Sequence, residues 1–69
     1  MRVEVFSAYV AGAYCAQIEI PNRQVMHLER RSKQALERAV RRHVVAAAFP
    51  PPEGETIHIQ WHEMRRVGL

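Results

Sequence analysis

The sequence predicts an α+β domain of order β-β-β-α-β, an antiparallel meander with one helix covering one sheet face. Three observations predict it. Residues 13–20 alternate apolar and polar side chains with a period of two, and residues 32–47 repeat apolar side chains at helical spacing. Proline, glycine and asparagine fall between these periodic runs and not inside them.

In chain order, Val3 to Val10 is rich in β-branched and aromatic residues. As a strand it sets Val3, Val5, Ser7 and Tyr9 on one face and Glu4, Phe6, Ala8 and Val10 on the other. Gly12 permits a tight reversal. Ala13 to Ile20 then puts Tyr14, Ala16, Ile18 and Ile20 against Ala13, Cys15, Gln17 and Glu19, the pattern of a half-buried strand. Pro21-Asn22 supplies turn chemistry, and Val25 to Glu29 is read as a third, shorter strand, with a helical start as the competing reading.

Ser32 is a good N-cap, and behind it Leu36, Val40, Val44 and Ala47 recur along one helical face. The helix must stop before Pro50-Pro51-Pro52, because proline lacks an amide donor and pushes its predecessor out of the helical region. Glu53-Gly54-Glu55 forms a turn. Ile57, Ile59 and Trp61 then alternate with His58, Gln60 and His62 in a last strand, expected beside the first. The whole of 1–69 reads as one small domain, with 65–69 as a frayed tail. A domain of this size buries only about 60% of its unfolded surface, so a second copy is expected to add stability.

Composition narrows the function. The 48% apolar and 25% charged residues are those of a globular chain, and no apolar run reaches the roughly 18 residues of a membrane span. The N-terminus lacks the order of a signal peptide, and a single cysteine, Cys15, closes no intrachain disulfide. The expectation is a cytoplasmic protein without membrane contact. A net charge of +3 hides an asymmetry, since Arg23 to His43 carries seven basic side chains against two glutamates, a net of +5.

Catalytic chemistry finds little to work with. All seven acidic residues are glutamate, and Glu4, Glu19 and Glu63 form no motif for a two-metal nuclease. His58 and His62 share a helix-type spacing, but on a strand they stand ~13 Å apart, too far to share one zinc ion. Ser32 is occupied as a cap, and Cys15 reads as a small strand residue without a base held beside it. His27 or His43 as a lone base in an RNA-cleaving site is the weaker alternative. The chain is therefore expected to be no enzyme and to need neither metal nor cofactor.

The segment Gly12-Ala13-Tyr14-Cys15-Ala16-Gln17-Ile18-Glu19-Ile20-Pro21 resembles the second strand of HicB-type antitoxins. A short strand, an Ala-Leu-rich helix reading Ala35-Leu36-Glu37-Arg38-Ala39 and a last strand extend the resemblance over nearly the whole chain. It implies a partial ribonuclease H fold without its catalytic carboxylates, and a domain that binds and blocks a small RNA-cleaving toxin. The chain departs from the family at Arg30-Arg31-Ser32-Lys33-Gln34, which is basic where the family has a Gly-rich link and an acidic first helical turn. The family often appends a DNA-binding segment; with the sequence ending at Leu69, operator binding is not expected.

Two surfaces follow. The sheet face away from the helix is expected to present Phe6, Tyr9 or Val10 with Trp61 nearby, and aromatic and arginine side chains dominate protein interfaces. With Arg30 and Arg31 these residues make the expected protein-binding site of a homodimeric, antitoxin-like inhibitor of another protein. The competing role of Trp61 is a simple core anchor. The second surface is a helix stripe of Lys33, Arg38, Arg41 and Arg42, expected opposite Leu36, Val40 and Val44, which would suit a small nucleic-acid-binding regulator. Against this stands a solvated face in which Glu37 and Arg41 form an i,i+4 pair. A stand-alone, phage-type inhibitor of a host protein is a third reading.

Overall fold

The computed structural model describes residues 1–48 and 56–63. The expected triple-proline stop, the 53–55 turn and the frayed tail lie outside them. Among the described residues five elements run in the predicted order: β1 (Arg2–Val10), β2 (Ala13–Glu19), β3 (Met26–Arg30), α1 (Lys33–Ala48) and β4 (His58–Glu63). The sheet order is β3-β2-β1-β4, with β1-β2 and β2-β3 antiparallel and β4 parallel to β1. The meander and the placing of the last strand beside the first are thus as expected.

Local chemistry explains each joint. Val10 pairs with Ala13, so the β1–β2 loop has two residues, Ala11 and Gly12, with φ of 51° and 81°. Two positive φ values are what the twist of a hairpin demands of a two-residue loop. Ile20 accepts a hydrogen bond from the Arg23 amide at 3.0 Å, and Asn22 has φ 63°. Proline followed by a left-handed asparagine is the pattern of a type II turn. The Ser32 hydroxyl accepts from the Ala35 amide at 3.1 Å and the Ser32 carbonyl from the Leu36 amide at 3.0 Å, so Ser32 caps α1 as its sequence position suggests. The Met1 ammonium donates to the Thr56 carbonyl and the His58 amide to the Met1 carbonyl, both at 2.8 Å, which ties the chain start to β4.

The core lies between α1 and one sheet face. Val3 and Val5 from β1, Ala16, Ile18 and Ile20 from β2 and its end, and Leu36, Val40 and Val44 from α1 are buried. These are the alternating and helical positions that the sequence marks as apolar faces. Met1, Tyr14, Leu28, Ile57, Ile59 and Trp61 pack around them, half-buried. The helix draws closest to β2 and β3, so β4 meets the core from the side.

The opposite sheet face has no element over it among the described residues. It carries Glu4, Phe6, Ala8 and Val10 of β1, Ala13, Cys15, Gln17 and Glu19 of β2, His27 and Glu29 of β3, and His58, Gln60 and His62 of β4.

Candidate functional site

The aromatic residues expected to share one surface are divided between two. Val5 pairs with Trp61 on β4, and Val5 is wholly buried, so Trp61 stands on the helix side of the sheet and packs against the core. Tyr9 follows Val5 at a separation of four and shares that side. Only Phe6 and Val10 occupy the open face. Strand parity decides this: the side that holds Val3 and Val5 must face the helix, and Tyr9 and Trp61 come with it.

A groove of about 360 Å³ opens at the sheet end where β1, β3 and β4 finish and α1 begins. Tyr9, Tyr14 and Trp61 line it with Leu36 at its base, and Lys33, Glu37 and Glu63 stand around it. The two-residue hairpin sets Tyr9 directly across from Tyr14, with ring centroids 4.7 Å apart and planes tilted by 51°. Tyr9 remains 53% exposed, so one ring of the groove is open to a partner. Arg30 pairs with Tyr14 on β3 at the same end, its Nη1 donating to the Glu29 carbonyl at 2.7 Å, and exposed Arg31 follows it.

One end of the helix stripe reaches the groove. Lys33 precedes Leu36 by three residues and Val40 by seven, which is the phase of the apolar face, and it lines the groove. Lys33 is exposed like Arg38, Arg41 and Arg42, and it differs from them in lining the groove. Glu37 lines the groove, and the i,i+4 pair with Arg41 that the alternative reading supposed is not among the ion pairs of the described residues.

On the open face, charges are arranged in a row that the sequence did not suggest. Glu4 and Glu19 face each other across β1 and β2. Glu19 accepts from the Gln17 amide at 2.9 Å, and Glu4 Oε1 meets Arg2 Nε at 2.6 Å. Glu4 Oε2 accepts a hydrogen bond from His62 Nε2, and the His62 ring stacks on Phe6 with centroids 4.7 Å apart and planes 16° from parallel. The His62 hydrogen bond, aided by Arg2, holds the Glu4 carboxyl below the usual glutamate range. Glu63 lies on the other face, so Glu4, Glu19 and Glu63 do not converge. Cys15 and His27 border a shallow depression beside Phe6 with no hydrogen bond between them. Among the described residues no group of three metal-ligating side chains gathers, and no helix is long and apolar enough to cross a membrane.

Tyr14, Glu37 and Glu63 were missed as groove residues. A signal for Tyr14 was present, since a two-residue loop fixes Tyr9 opposite Tyr14 once both strands are assigned. Comparison of the chain with family models, with curated proteins and with solved structures finds no match.

Proposed function

We propose that this chain is a non-catalytic protein-binding domain, a homodimeric inhibitor of the HicB-like kind working in the reducing cytoplasm. The observation that supports the reading best is the groove. Tyr9, Tyr14 and Trp61 line one concave site fixed on three strands and bordered by Arg30 and Lys33. Rigid aromatic rings with arginine nearby are the composition of interface hot spots, and rings held by strands lose little freedom on binding. The open face, with Phe6, Ala8 and Val10 beside Cys15, is the surface on which a second copy would close the sheet.

The test is affinity purification of the tagged protein from its native cells, with and without nuclease. A stoichiometric protein partner that survives nuclease and is lost with Tyr9→Ala supports the reading. Tyr9 suits this test because its exposure lets it be truncated without opening the core. A partner retained by Tyr9→Ala and Arg30→Ala together overturns the assignment to the groove.

A second reading has its own observation. Arg38, Arg41 and Arg42 are exposed and form no ion pair among the described residues, leaving three guanidinium groups for phosphates. Nucleic acid that copurifies, falls away steeply with salt and is lost with Arg41→Glu and Arg42→Glu would favour it.

A further inference from the structure

We infer that the groove receives a cationic side chain, an arginine or lysine of the bound partner, held between aromatic rings and two carboxylates. The inference rests on the protein-binding reading and deepens it by naming the group recognised. Three rings, those of Tyr9, Tyr14 and Trp61, line a cavity of about 360 Å³, ample for one extended side chain. Ring faces attract cations through their quadrupoles, and aromatic enclosures with nearby carboxylates are a general solution for binding ammonium and guanidinium groups.

The charges at the groove favour the same occupant. Glu37 and Glu63 line it from α1 and from the end of β4, and neither forms an ion pair or hydrogen bond among the described residues. Lys33 is the opposing charge, and it rests on no ring face, so the described structure leaves the aromatic surface to an incoming cation. Among the lining residues two carboxylates face one ammonium, and the neighbouring Arg30, across from Tyr14, turns its guanidinium to the Glu29 carbonyl. A neutral partner group would leave both lining carboxylates without a counter-charge, whereas a cation pairs with them.

Trp61 is the only tryptophan of the chain, so its fluorescence reports directly on the groove. The full-length protein is titrated at constant ionic strength with N-acetyl-arginine amide, with tetramethylammonium, and with the neutral N-acetyl-glutamine amide. An Arg65→Gln, Arg66→Gln variant is titrated in parallel, so that arginines following Glu63 in the chain cannot mask the site. Saturable change with both cations and none with the neutral amide, in either background, supports the inference. Glu37→Gln with Glu63→Gln is expected to weaken cation binding by roughly three- to tenfold with the fold kept, as read by amide NMR dispersion. Equal response to the neutral amide, or unchanged cation affinity in the double glutamine variant, overturns it. Loss of the partner on Tyr9→Ala without cation binding would leave the protein-binding reading standing and remove this inference alone.

Discussion

His62 Nε2 donates a hydrogen bond to Glu4 Oε2 across the parallel β1–β4 pair, joining residues 58 positions apart in the chain. The parallel register puts His62 beside Phe6, two residues on from Glu4, and the stacked Phe6 ring orients the imidazole toward the carboxylate. The strand that closes the fold last is thereby fastened to the first by side chains as well as by backbone.

A pH dependence follows with a definite sign. The Glu4 carboxyl is held below its ordinary value of 4.5, chiefly by the His62 hydrogen bond, so the folded state binds this proton less readily than the unfolded chain. Its stabilisation is complete above that ordinary value and is lost as pH falls through the lower folded-state value. Thermal unfolding followed from pH 7 into the acid range is expected to show wild type and Glu4→Gln converging below about pH 4.5. In His62→Gln, the Glu4 side-chain NMR titration should move back toward the ordinary value.

The β1–β2 hairpin carries strain at Ala11, whose φ is 51° while its neighbour Gly12 has φ 81°. A left-handed alanine costs about 1 kcal/mol, whereas asparagine tolerates that region. Ala11→Asn is expected to raise the melting temperature by about 4–8 °C, the shift that ~1 kcal/mol gives in a domain of this size. Gly12→Ala should lower it by a similar amount through backbone conformation alone, since no atom lies within 4 Å of a Cβ placed there. Differential scanning calorimetry reads both.

Much of this fold was legible because its signals are local. The alternation of Tyr14, Ala16, Ile18 and Ile20, the glycine reversal and the Ser32 cap act within a few residues, and each element formed within a residue or two of its expected bounds. The paired faces of β1 and β2 could also be written down. What strand alternation withholds is which face meets the helix, and that choice sent Tyr9 and Trp61 to the groove while leaving Phe6 outside. The Glu4–His62 contact depends on the register of β4, a long-range pairing that nothing near either residue encodes. Lys33 is exposed as its charge suggests, but its spacing from Leu36 and Val40 also brings it to the groove, which its charge did not signal.

Ser32→Ala is expected to cost about 1 kcal/mol, because the Ala35 amide loses its side-chain acceptor at the helix start. The first turn of α1 has no acidic residue to offset this, and Lys33 sits where the helix dipole disfavours a positive charge. Ser32→Asp should therefore match or exceed wild type, since it keeps the acceptor and adds a favourable charge. Urea unfolding of the three proteins checks the order.

Tyr9 and Trp61 share the groove yet should differ sharply when truncated. Trp61 packs against the core beside buried Val5, and losing its ring removes apolar contact from the side on which β4 joins the sheet. Tyr9 is 53% exposed and its ring rests mainly on Tyr14. Full loss of a buried tryptophan costs about 3–5 kcal/mol, and a half-buried one roughly half of that, against about 1 kcal/mol or less for Tyr9→Ala. Urea midpoints for Trp61→Ala and Tyr9→Ala are expected to separate accordingly, while both variants lose groove binding. Equal midpoints would mean that Trp61 contributes to recognition and not to the core, reversing the division of labour drawn from its packing.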